Sequence, residues 1–475
     1  MKNKTNRNLA ILTGALLMTS INAGMANAKP TLKLPEIKSV QFQPPQGEKM
    51  TLKNGITVYY MQDNTLPVVH LQAIVKTGKI YDPAKLAGLG TITLDLMHEG
   101  GTAKYPSAKM DKTLENLGAS ISATLSLEEA TFDMTSLKKD FSAVLDIFAD
   151  VLRNPAFEAD KVKLVKSEYI AITDRRNDEP GRSVSSEALR RFFGPNHPYG
   201  QRMEKATINA ITVADMKKWH KNYVQPGNMM LAVAGDFGSS ENLANELEKA
   251  FGSWQAGKTE FPKIEQPKSI AKRKVFHIQK PSSQTYIAMV QTAPKRLSQD
   301  EYALSVANEI LGGGLSSRLA AEVRSRRGLA YTVYSYAGKR SLEGFEMAYC
   351  GTKPSTAAEA IEVMLGEFRK IQEEPVPTEE LERAKSSIVN SFVFRFPTPF
   401  SLITNRMGYD YYNYPKDYLE NYVRNIEKID AAAVQDAAKR LFRPDDMIIF
   451  VIGDASKFDK PLSTFGEVVE LTEAD

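Results

Sequence analysis

Apolar and polar positions along this chain change rhythm several times. In TLKNGITVYYMQDN (51–64) two strand-like runs flank an Asn-Gly break, and VVHLQAIVKTG (68–78) alternates as a strand does. In FSAVLDIFADVLRNPAFEADKVKLVKSEYIAI (141–172) apolar residues recur at three-and-four spacing. A Pro then breaks the run, and an acidic restart opens a second long helix. AAEAIEVMLGEFRKIQEEPVPTEELERAKSSIVNSF (357–392) repeats that order. A tighter repeat places ITVADMKKWHKNYVQPGNMMLAVAGD (211–236) on IDAAAVQDAAKRLFRPDDMIIFVIGD (429–454), without a gap, at an offset of 218. Pro226 then meets Pro444, Met229 meets Met447, Val233 meets Val451, and Gly235-Asp236 meets Gly453-Asp454. Each copy reads as an amphipathic helix, a Pro-containing turn and a short apolar strand ending at Gly-Asp.

Shared order at a fixed offset implies duplication. The expected fold is α+β: two homologous halves, each a mostly antiparallel sheet with helices packed on it. QAGKTEFPKIEQPKSIAKRK (255–274) is polar and rich in Pro and Lys, has neither period, and reads as the linker between halves at 29–254 and 275–475. Ahead of them, residues 1–28 have a basic start (Lys2, Lys4, Arg7), an apolar stretch from Leu9 to Met18 and an Ala26-Asn27-Ala28 end. That is the layout of a secretory signal peptide cleaved after Ala28, and it predicts a secreted or periplasmic protein. The apolar stretch is too short and too often interrupted to span a bilayer, and no longer one follows.

Cleavage would leave about 447 residues, too many for one hydrophobic core. It would also take the formal charge from +4 to about +1, which gives no electrostatic case for nucleic acid or an anionic membrane as partner. Cys350 is the only cysteine, so no internal disulfide forms, and its strand-like setting predicts a buried small hydrophobe. The five histidines are scattered. His70 lies in a strand-like run, His197 in a loop, His220 on an amphipathic helix and His277 at a strand start. His98-Glu99 are adjacent, about 100° apart on a helix, and so do not chelate as a pair four positions apart does.

Several longer motifs together resemble the pitrilysin/insulinase family of zinc peptidases, which use an inverted H-x-x-E-H motif. They are EGGTAKYPS (99–107), LENLGASISAT (115–124), GPNHPYG (194–200) and, most specifically, LGGGLSSRLAAEVRSRRGLAYTVYS (311–335). The resemblance implies two α+β halves forming half of a clamshell around a peptide, with the triple Gly in a loop near the chamber. It also implies a zinc site, and here the chain departs from the pattern. Anchored on the Gly-Thr after GLGTITLDLMHEGGT (88–102), the two His positions fall on Ile92 and Leu96 and the catalytic Glu on Asp95. The further Glu, about 76 residues downstream in the family, falls near Ile172. No metal is therefore expected on this chain. What persists is an Arg and a Tyr seven residues apart, Arg324 and Tyr331, at the positions that the family uses to hold the substrate carbonyl. Two such donors suit an oxygen that becomes negative as water attacks a peptide bond.

The pattern resembles the non-catalytic subunit of a two-chain member, with zinc on a homologous H-x-x-E-H partner and a peptide as substrate. The alternatives are an inert binding or scaffold protein of the same fold, and a self-sufficient peptidase whose metal site has moved.

Overall fold

The structure is a computed structural model that describes residues 44–268 and 272–472; the expected leader 1–28 and residues 269–271 of the linker lie outside the described residues. The first half carries strands β1 (Glu48–Thr51), β2 (Thr57–Gln62), β3 (Val68–Val75), β4 (Ser120–Leu125), β5 (Ala130–Leu137) and β6 (Met229–Gly235). The second carries β7 (Val275–Gln279), β8 (Thr285–Ala293), β9 (Ala330–Gly338), β10 (Gly344–Thr352), β11 (Ile448–Gly453) and β12 (Val468–Leu471). The Asn-Gly break between β1 and β2 is a turn that needs its glycine, since Gly55 has φ +91°. Asn54 fixes it by donating to the Phe251 and Trp254 carbonyls.

The sheets have orders β1-β2-β6-β3-β5-β4 and β12-β7-β11-β8-β10-β9. With β2 to β6 set against β7 to β11, the order is the same, which is the duplication seen in three dimensions. In both halves one inner pair is parallel, β2 with β6 and β7 with β11, and the strands beyond it pair antiparallel. The halves differ at one edge. β1 comes from before the repeat and runs antiparallel to β2, whereas β12 comes from after it and runs parallel to β7.

The helices follow the same plan. The first half holds α1 (Leu89–Glu99), α2 (Ser107–Leu117), α3 (Phe141–Arg153), α4 (Ala159–Asp174), α5 (Pro180–Phe193), α6 (Lys205–Ala210), α7 (Val213–Tyr223) and α8 (Ser240–Phe251). The second holds α9 (Glu301–Asn308), α10 (Ala357–Glu373), α11 (Thr378–Val393), α12 (Pro399–Tyr411), α13 (Tyr418–Glu427) and α14 (Ala431–Leu441). The 218-residue repeat is α7, turn and β6 against α14, turn and β11. Each of its helices opens on a side-chain cap: Thr212 accepts from the Asp215 amide, and Asp430 from the Ala433 amide.

One face of each sheet packs on helices of its own half. The opposite faces are covered by exchange. α5 of the first half lies across β8 and β11, with Val184, Ala188, Phe192 and Phe193 among Ala288, Val290 and Phe450. α12 of the second half lies across β2 and β6, with Ile403 and Met407 against Tyr59, Ala232 and Ala234. Coverage on both faces explains why β6 and β11 read as continuous apolar runs rather than alternating ones. The β4–β5 hairpin tip is held by the second half as well: Glu128 accepts from the Ser341 amide at 2.7 Å and pairs with Arg296 at 2.9 Å. No helix among the described residues is long and apolar enough to cross a membrane.

Candidate functional site

α1 is the segment where the family's metal-binding helix falls. It starts at Gly88, whose φ of +100° turns the chain into the helix. Buried Asp82 accepts from the Gly88 and Gly90 amides at 3.1 and 3.0 Å, taking up two donors that the helix start leaves open. Burial pushes the Asp82 carboxyl up to about 7, against the pull of those amides.

On this helix Ile92 and Leu96 are both 0% exposed and belong to the first core. Asp95, half-buried, accepts a hydrogen bond from the Tyr169 hydroxyl of α4. Burial raises its pKa, with the Tyr169 bond opposing. Ile172, one turn beyond Tyr169 on α4, is 62% exposed. The place of a metal is therefore taken by two core aliphatics and a Tyr–Asp bond tying α1 to α4. These residues do not fit zinc, which needs three protein ligands with lone pairs.

The histidines offer no substitute. His70 bonds Thr135, His197 the Glu265 carbonyl, His220 the Leu152 carbonyl, and His277 both Glu470 and the Gly453 carbonyl. Among the described residues no group of three His, Cys, Asp or Glu side chains stands close enough to hold a metal ion. Cys350 is buried on β10, its thiol pushed up to about 12 by burial, so it packs and does not react.

The second half brings Arg324 and Tyr331 together. The Arg324 guanidinium lies 4.8 Å from the centre of the Tyr331 ring, a cation–π contact. Arg324 sits on a π-helical segment, Ala320–Arg326, anchored by buried Leu319 and Val323. Its cationic neighbours are engaged elsewhere: Arg326 pairs with Glu322, and Arg327 with Glu359 at 3.2 Å. Among the described residues Arg324 has no carboxylate partner. Tyr331 is the second residue of edge strand β9 and is 80% exposed, so it is not a core tyrosine.

The triple-Gly motif departs from the expected loop. Glu309–Gly313 is itself π-helical, and the turn begins only at Gly314. A Cβ on Gly312 would meet the Ser335 amide nitrogen of β9 at 2.3 Å, so glycine lets this turn lie against the strand that carries Tyr331. Two features of the site escape the motif reading. Tyr169 is the partner of Asp95, and arginines gather beside Ile172. Tyr169 and Ile172 share a face of α4 with Thr173, a spacing visible in the sequence, and Arg176 follows in the turn after that helix.

Comparisons with known proteins agree with this geometry. Residues 57–202 match the sequence profile described as Insulinase (Peptidase family M16), and residues 210–388 match Peptidase M16 inactive domain. An uncharacterized zinc protease of Mycobacterium bovis is 25% identical over 83% of this chain and 90% of its own length. A protein named as a non-peptidase homolog, from Helicobacter pylori, is 22% identical over 85% of this chain and 93% of its own. The crystal structure of a peptidase M16 inactive domain from Pseudomonas fluorescens superposes with a TM-score of 0.78 at 26% identity, covering 88% of this chain and all of that one. With its duplicated halves, its displaced metal ligands and these matches along both halves, the chain belongs to the insulinase family of peptidases, M16.

Proposed function

We propose that this chain is the non-catalytic subunit of a two-chain, exported peptidase. A homologous H-x-x-E-H partner would hold the zinc and the general base. This chain would close the peptide chamber and supply Arg324 and Tyr331 as donors to the substrate carbonyl. The observation that carries the reading is the contrast between the two sites. Ile92 and Leu96 are core, whereas Arg324 and exposed Tyr331 stand together at the surface, Arg324 without a carboxylate partner among the described residues. A residue kept only for packing has no reason to be 80% exposed beside an arginine that lacks a carboxylate. The Helicobacter pylori relative's name fits a member without peptidase activity of its own.

The test is reconstitution with the zinc-bearing partner. Arg324→Ala and Tyr331→Phe are each expected to lower kcat by about 10²–10³-fold, the effect of one missing oxyanion donor, with assembly unchanged. A scaffold would show unchanged kcat in both variants. The mature chain dialysed alone against trace zinc is expected to retain less than about a tenth of an equivalent, since only one donor side chain stands where three are needed. Near one equivalent would instead favour a self-sufficient peptidase.

A further inference from the structure

A cavity of about 570 Å³ opens between α7, the turn Lys79–Tyr81 with the residues after it, and the start of the linker. Its size lies within the range of small-molecule sites, about 300–1,000 Å³. Four rings line it in a row: Trp219 lies 5.3 Å from Tyr223, Tyr223 5.8 Å from Tyr81, and Tyr81 5.1 Å from Phe261, centre to centre. Trp219 and Tyr223 are buried and Phe261 is 39% exposed, so the row runs from the core out to solvent. The linker wall is fixed to the end of α7. Asn222 donates to the Glu260 carbonyl at 2.8 Å and accepts from its amide at 2.9 Å, and Gln225 donates to the Thr259 hydroxyl.

The repeat supplies an internal control. At the offset of 218, Trp219 meets Ala437 and Tyr223 meets Leu441 on α14. The same element thus folds without either ring, and the aromatic wall is not demanded by the architecture. Charge gathers beside it: Lys218 and Lys221 of α7 and Lys258 of the linker add three amines. Asp215 also lines the cavity, but its carboxylate takes the Thr212 amide and hydroxyl at the start of α7. Glu260 is then the one lining carboxylate outside that cap. Lys218 feels the charge of Asp215, whereas among the described residues Lys221 and Lys258 form no ion pair.

We propose that this cavity binds a small aromatic acid, its ring among Tyr81, Tyr223 and Phe261 and its carboxylate towards the lysines of α7 and the linker. Rings gain from offset and edge-on packing with other rings, and an ammonium group is a compact point charge for an anion at the mouth. An aliphatic acid would forfeit the first contact and a neutral amide the second. The inference goes beyond the subunit reading and does not depend on it, since neither Arg324 nor Tyr331 lines this cavity.

The test is binding to the mature chain alone, carrying Trp254→Phe so that Trp219 is its sole tryptophan. The probes are biphenyl-4-carboxylate, its neutral carboxamide and octanoate. Calorimetry gives the affinities, and Trp219 emission reports where the ligand sits. The biphenyl acid is expected to bind at least about fivefold more tightly than its amide, the upper end for one exposed ion pair, and tighter than octanoate by about as much. Both biphenyls should change Trp219 emission. Lys218→Gln, Lys221→Gln and Lys258→Gln, combined, should erase the advantage of the acid over the amide, and Phe261→Ala should weaken both biphenyls alike. All four side chains are exposed, so neither protein should differ from the parent in Tm. No binding, equal binding of acid and amide, octanoate as tight as the biphenyl acid, binding with unchanged Trp219 emission, or an advantage that survives loss of the three lysines would each overturn the proposal.

Discussion

Glu346 lies on β10 at 0% exposure, in register with Gln291 and in phase with Ala348 and Cys350 of the second core. Burial pushes its carboxyl up to about 8, with the neighbouring Ser335 hydroxyl pulling the other way. The neutral acid is thus the form that the fold accepts, whereas the unfolded chain ionises in the ordinary carboxylate range. The folded pKa is the higher one, so this contribution is fully present at pH below about 4.5 and is lost as pH rises to about 8. Over that window the loss approaches about 1.4 kcal/mol per pH unit. Urea unfolding followed from pH 5 to pH 8 should show the midpoint falling, and Glu346→Gln should flatten the fall. An equal slope in both proteins would mean that another group sets it.

Among the elements, the π-helical turn Glu309–Gly313 lies against β9 at Ser335, on the strand that carries Tyr331. An added Cβ at Gly312 would drive into the Ser335 backbone at 2.3 Å, which no side-chain rotation relieves. Gly312→Ala is expected to cost about 1–3 kcal/mol, the range for overpacking a filled site, and to lower activity in the reconstituted enzyme. Gly366 on α10 is the control, because its Cβ would meet nothing within 4 Å. There Gly366→Ala should be neutral or stabilise by up to about 1 kcal/mol. Thermal melts of the two variants, run side by side, decide the point. The sequence made the repeat legible because α7, β6 and their copies keep both periodicity and the Pro turn at one offset. It also exposed the lost metal ligands, since Ile92 and Leu96 lack donors in any conformation. The π-turns were not legible, because three glycines in a row read equally well as loop. Nor was β12, whose VVEL is too short to show a strand period.

At the scale of the molecule, the exchange of α5 and α12 was the least legible feature. An amphipathic helix records that one face is apolar, not which sheet covers it. Its consequence is mutual dependence. Val184, Phe192 and Phe193 of α5 are buried against the second sheet, and at about 1.5–3 kcal/mol per large side chain they contribute roughly 5–9 kcal/mol. A whole domain is stable by only about 5–15 kcal/mol. Removing the second half would bare these residues and also uncover β2 and β6 where α12 lay. A protease site placed at 269–271 and cut after folding should therefore leave the halves associated and melting in one transition. Residues 29–268 and 272–475 made separately should each aggregate or lose cooperative melting, and recover it when produced together. If either half alone melted cooperatively near the parent temperature, the exchanged helices would be ornaments on two self-sufficient units. The interlock would then not be what holds the candidate sites of the two halves in one frame.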